Sequence, residues 1–165
     1  MSEQGNGPNG GDGGMEADAP RVQVIGQYIK DLSFENPSAP GNLTARPQIE
    51  LGVDLQARQL EREHYEVELK LRISAQSEDN KPVFLLELLY AGLFQLHAIP
   101  EEVRQQVLLI EAPHILFPFA RRIVADIVRD GGMPPLMIEP IDFAALYRAK
   151  AMQMQQMRSG GQPEA

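Results

Sequence analysis

The chain is 165 residues long, carries a formal net charge of −8 and contains no cysteine. That length suits one domain whose single core needs no covalent staple, and the missing thiol excludes disulfides, thiolate metal sites and a cysteine nucleophile. The acidic balance argues against nucleic acid, whose binding depends on Lys and Arg displacing counterions, and favours encounters with basic partners.

Residues 1–20, "MSEQGNGPNGGDGGMEADAP", hold almost nothing that could be buried, so a disordered Gly-rich acidic tail is expected. They lack the basic and apolar regions of a secretory leader, and no apolar run in the chain reaches bilayer length, so a cytoplasmic protein without membrane insertion is expected. Within the tail, "GNGPNG" (Gly5–Gly10) spells a dinucleotide fingerprint. It lacks the strand before and the helix after that would aim backbone N–H groups at a pyrophosphate. "NLT" at Asn42 spells a glycosylation sequon, silent without a secretory route.

"VQVIGQYI" is rich in β-branched residues and predicts a strand that runs into a loop, "KDLSFENPSAP". There Asp31 and Glu35 flank an apolar step, which reads either as a strand edge entering a turn or as an acidic surface for a basic partner. "IELGVDL" alternates, with Ile49, Leu51, Val53 and Leu55 on one face. "HYEVELKLRISA" repeats the pattern, with Tyr65, Val67, Leu69, Leu71, Ile73 and Ala75 inward and Glu66, Glu68, Lys70 and Arg72 outward. After a turn at "SEDNK", the run "PVFLLELLYAGLFQL" is apolar on both faces, and only Glu87 breaks the second set. Such a strand must be covered twice, once by the chain's own helices and once by another subunit or a partner.

Helical signals follow. "IPEEVRQQVLLIEAP" opens on a proline and acids, and its helix is expected to stop at Ala112-Pro113. "HILFPFARRIVADIVRDGG" places Ile115, Phe119, Ile123 and Ile127 four apart, with a regular helix expected from about Pro118 to Gly131-Gly132. The prolines of "MPPLMIEPI" enforce an extended, unusually apolar loop. "DFAALYRAKAMQMQQMRS" predicts a last helix capped by Asp142. Strands first and helices after them give an α+β fold, an antiparallel sheet with helices on one face. One domain over residues 21–158 is expected, followed by a disordered tail at 159–165.

His64, His97 and His114 have no partner at metal-ligand spacing, and no nucleophile elbow, phosphate loop or calcium loop occurs, so neither an enzyme nor a cofactor is expected. The doubly apolar strand and the apolar loop before the last helix remain. They read either as an oligomer interface and a packed loop, or as parts of an apolar groove for flexible clients. A groove contact of ~500 Å² would give roughly 12 kcal/mol against association costs of about 4 to 15 kcal/mol. Each contact is then weak and reversible, and a multimer gains by offering several.

The ordered strings "YIKDLSFENPSAP", "YEVELKLRISA", "FLLELLYAGLF", "PHILFPFARRIVADIVRDGG" and "PPLMIEPIDFAALY" together resemble the SecB family of bacterial export chaperones over roughly residues 22–150. The resemblance implies a four-stranded antiparallel sheet with packed helices and a homotetramer built as a dimer of dimers. It also implies ATP-independent holding of unfolded precursor proteins and their delivery to the SecA motor. Carried over by residue, it implies a SecA-docking surface of Asp31, Glu35, Leu85 and Glu87. It further implies a client surface of Ile49, Leu51 and Val53, with Phe84, then Met133, Leu136 and Ile138, and Tyr147. A non-catalytic adaptor that docks a basic partner without holding clients is the alternative. The chain departs from the family in having no cysteine and in reading Ala91-Gly92 where members often carry two glycines.

Overall fold

A computed structural model describes residues 19–41 and 46–161. The string Gly5–Gly10, most of the N-terminal tail, the Asn42 sequon and residues 162–165 lie outside that description. Four strands, β1 (Arg21–Glu35), β2 (Gln48–Glu61), β3 (His64–Gln76) and β4 (Pro82–His97), precede the helices α1 (Glu101–Gln106), α2 (Ala112–Asp130) and α3 (Phe143–Ser159). All neighbouring strands are antiparallel, in the order β1-β4-β3-β2. β2, β3 and β4 are consecutive hairpin partners, and β1 lies beside β4, a Greek-key arrangement.

The alternation of β3 and β4 decides which face is packed. Val67, Leu69, Leu71 and Ile73 of β3 lie opposite Gly92, Tyr90, Leu88 and Leu86 of β4. With Phe94, these side chains form the floor of the core. Gly92 is required there by close approach: a Cβ at this position would lie 2.7 Å from the Phe94 ring and 2.8 Å from Leu116 of α2. The opposite face of the sheet carries Leu85, Glu87 and Leu89 from β4 and most of the charged side chains of β3, and none of the described helices covers it.

β1 is longer than its sequence suggests. "KDLSFE" is not a loop but the last part of the strand, paired through Glu35↔Leu85. Register shifts between Val24 and Gly26 and between Ile29 and Asp31 break the period of two, which hides the strand's continuation beyond Ile29 from a pattern search. The turn after it is tied down where the Asn36 side-chain amide donates to the Gly131 carbonyl at 2.9 Å and Ser38 donates to the Val83 carbonyl at 3.2 Å.

The helical region also departs from expectation. The rod does not stop at Ala112-Pro113; residues Val107–Glu111 wind as a π-helical turn that joins α1 directly to α2. Proline lacks an N–H donor, and at Pro113 it sits in the first turn of α2, where the wider turn before it removes the usual demand for an i−4 bond. Pro118 lies inside α2 on its exposed side. The packed stripe of α2 is Leu116, Ala120, Val124 and Val128, one residue out of phase with the stripe read from the sequence. Ile115, Ile123 and Ile127 are only half-buried, and Phe119 is 50 % exposed. The two stripes are both apolar, so periodicity could not choose between them.

Residues 134–142 form neither helix nor strand, and Met133 and Ile138 are buried against the core. Asp142 then caps α3, its Oδ1 accepting from the Ala145 N–H at 2.9 Å. Phe143 anchors the helix by stacking edge-on to Phe117 of α2, ring centres 6.0 Å apart.

Candidate functional site

Two surfaces stand out. The first is the uncovered face of the sheet. Strand pairing sets Glu35 opposite Leu85, Ser33 opposite Glu87 and Asp31 opposite Leu89. Asp31, Glu35, Leu85 and Glu87 therefore occupy one contiguous patch on two adjacent strands, although they come from segments far apart in the chain. Among the described residues, no cation pairs with Asp31 or Glu35, whereas Glu87 meets Arg72, its cross-strand neighbour on β3, in an ion pair. Leu85 is half-buried between them and offers apolar area.

Further along the same face, toward the other end of β1, lies a polar cluster that alternation alone did not reveal. Glu66 reads as a solvent-facing residue of β3, yet it is 5 % exposed. Tyr28 of β1 donates to it through its hydroxyl, Lys30 through Nζ at 3.1 Å, and Arg58 of β2 through Nε at 2.9 Å. Lys30 also bridges to Glu68. Burial works to raise the Glu66 carboxyl, but the hydrogen bonds from Tyr28, Arg58 and Lys30 outweigh it and hold the group down at about 2. Burial and the adjoining carboxylate push the Tyr28 phenol up to about 12. The cluster clamps β1, β3 and β2 together across this face. Its signal in the sequence is only an oppositely charged set on three strands, legible once the register is known.

The second surface is an open groove of about 620 Å³ between β2 and α3. Val53 and Leu55 of β2, Leu109 of the π-helical turn, and Leu146, Tyr147, Met154 and Met157 of α3 line it. Lys150 stands at its rim and pairs with Asp54 at 3.2 Å. β2 is an edge strand, so its core-side residues are only partly covered, and Ile49 and Leu51 continue the same face beyond the groove, both exposed. Of the remaining candidates, Leu136 is half-buried, while Phe84, Met133 and Ile138 are core residues in this chain, buried to within a few per cent. The candidates thus separate into reachable and interior sets. Leu109, Leu146, Met154 and Met157 are lining residues that the sequence reading missed, though on α3 the spacing 146, 147, 150, 154, 157 marks one helix face.

Among the described residues, no group of three or more His, Asp or Glu side chains could hold a metal ion. No helix of the described residues is long and apolar enough to cross a membrane.

The model of the family described as "Preprotein translocase subunit SecB" matches residues 15–155. The chain is 46 % identical to the protein-export protein SecB of Parvibaculum lavamentivorans, over 99 % of both chains. It is 52 % identical to that of Maricaulis maris, over 81 % of this chain and 79 % of the relative. Among solved structures, a SecB-like chaperone of Mycobacterium tuberculosis in complex with an antitoxin peptide superposes with a TM-score of 0.61 at 17 % identity, covering 73 % of this chain and 91 % of that one. That likeness speaks to the fold. With the uncovered acidic sheet face and the apolar groove in place, the family match over most of the chain and the near-full-length relatives settle the assignment: this chain belongs to the SecB family of protein-export chaperones, which are cytoplasmic and not enzymes.

Proposed function

We propose that residues 21–158 form the chaperone domain, that it holds unfolded precursor proteins in the groove between β2 and α3, and that it docks the SecA motor on the uncovered sheet face. The observation that carries the docking site is the convergence of Asp31, Glu35, Leu85 and Glu87 on adjacent strands. Carboxylates around a half-buried leucine suit a basic partner, with charge steering the encounter and apolar contact adding area. The groove is apolar, open and partly walled by methionines, a surface that adapts to many sequences.

The active particle is a homotetramer built as a dimer of dimers. Two separate apolar surfaces support this reading. One is the edge strand β1, on which Val24, Ile25 and Ile29 are exposed, and the other is the second stripe of α2 around Phe119. Each is a surface that a lone subunit would leave in water, and two different contacts are what a dimer of dimers requires. The docking face and the groove remain outside both.

Glu87→Lys tests the division of labour. It should weaken SecA binding by about tenfold or more at low salt, with the deficit shrinking as salt rises, and leave binding of an unfolded precursor close to wild type. Titration of the purified variant with each partner measures both. Equal loss of the two activities, with unchanged mass by light scattering, would overturn the separate-surface reading.

A further inference from the structure

We propose that Met154 and Met157 form an oxidation-sensitive wall of the groove: a peroxide converts their thioethers to sulfoxides, and the groove then releases its apolar occupant. This rests on the client-holding role assigned to the groove above. The chain has seven methionines and no cysteine, so its only sulfur is thioether sulfur. Met154 and Met157 are 66 % and 71 % exposed and both line the groove. Three residues apart, they share one face of α3. Met133, by contrast, is 6 % exposed and lies in the core. An oxidant arriving from water therefore meets the groove wall before it meets the interior.

The chemistry is a two-electron oxygen transfer. A sulfur lone pair attacks one oxygen of hydrogen peroxide, the O–O bond breaks as the S–O bond forms, and a proton shift leaves sulfoxide and water. Sulfur is oxidised and peroxide is reduced. The product is a polar, chiral side chain in place of a flexible apolar one, and sulfoxide reductases can reverse the change. In a groove whose grip depends on apolar contact, the new S–O dipoles retain water where a client side chain would sit.

The test exposes the full-length assembled protein to hydrogen peroxide, follows each methionine by peptide mass and measures affinity for an unfolded precursor before and after. Met154 and Met157 should gain oxygen well before Met133, and client affinity should fall by about tenfold. The double variant Met154→Leu/Met157→Leu should show an affinity, whatever its starting value, that peroxide does not change. Met152→Leu, which alters an exposed methionine of α3 outside the groove, should keep the full peroxide response. Val53→Asp separates this inference from the one beneath it. If Val53→Asp abolishes client binding while oxidation of Met154 and Met157 leaves it intact, the redox wall is overturned and the groove stands. If neither change affects client binding, the groove assignment falls and the redox inference with it. Oxidation of Met133 at the same rate as Met154 and Met157 would also overturn it.

Discussion

Replacing Glu66 by glutamine should destabilise the protein near neutral pH and flatten its acid sensitivity. The carboxylate is held at about 2 against an ordinary value of 4.5, a gap worth about 3 kcal/mol of preference for the charged form. Lys30 and Arg58 retain contact with water, their side chains 30 % and 62 % exposed, and recover part of their solvation when the charge is removed. A loss of about 2 kcal/mol is therefore expected for Glu66→Gln. The folded-state pKa is depressed, so this stabilisation is fully present above about 4.5 and is lost as pH falls through about 2. Denaturant unfolding at a fixed protomer concentration, repeated from neutral pH down to about 2, measures it. The gap between wild type and variant should be largest near neutrality and close toward zero in acid. A gap that stays constant across that range would refute the argument, because it would mean that shape rather than charge at position 66 does the work.

Gly92→Ala should cost about 1 to 3 kcal/mol, since its methyl would collide with Phe94 and Leu116, both fully buried and without room to retreat. Gly52→Ala is its counterpart, with the nearest atoms at 3.8 Å, and should be neutral or stabilise by up to about 1 kcal/mol; thermal or denaturant unfolding of the pair distinguishes them, and equal effects would contradict the packing assigned to Gly92. Asp142→Ala removes the oxygen that accepts from Ala145 and should cost about 1 kcal/mol, seen as faster amide exchange in the first turn of α3 together with weaker client binding.

Much of this architecture can be read directly from residue patterns, and the exceptions have physical causes. β3 alternates cleanly because one face is packed and the other wet, β2 keeps the same alternation in sequence although only Val53 and Leu55 of it are partly covered, and the Asp142 cap is a local interaction between near neighbours. The first half of β1 was legible in "VQVIGQYI", and its continuation through "KDLSFE" escaped because the irregularity between Ile29 and Asp31 interrupts alternation there. The end of α1 was misplaced because Pro113 ordinarily marks a stop, and a widened turn that accommodates it leaves no trace in composition. The burial of Glu66 depends on Tyr28, Lys30 and Arg58 arriving from two other strands, which no local window contains. Of the residues carried over from the family resemblance, those on the sheet face fall into one patch. Those nominated for clients divide, because Phe84, Met133 and Ile138 lie where sheet, helix and loop close over one another.

The position of β1 beside β4 has a consequence for how the protein itself is made. The first strand to leave the ribosome finds its neighbour only after the other three have been synthesised, since its ladder runs entirely to β4. Until then its valines, isoleucines and tyrosine are displayed to the surrounding cytosol. A member of a protein-export chaperone family thus begins life with an exposed strand of its own, and conditions that slow translation between residues 35 and 82 should lengthen that vulnerable interval.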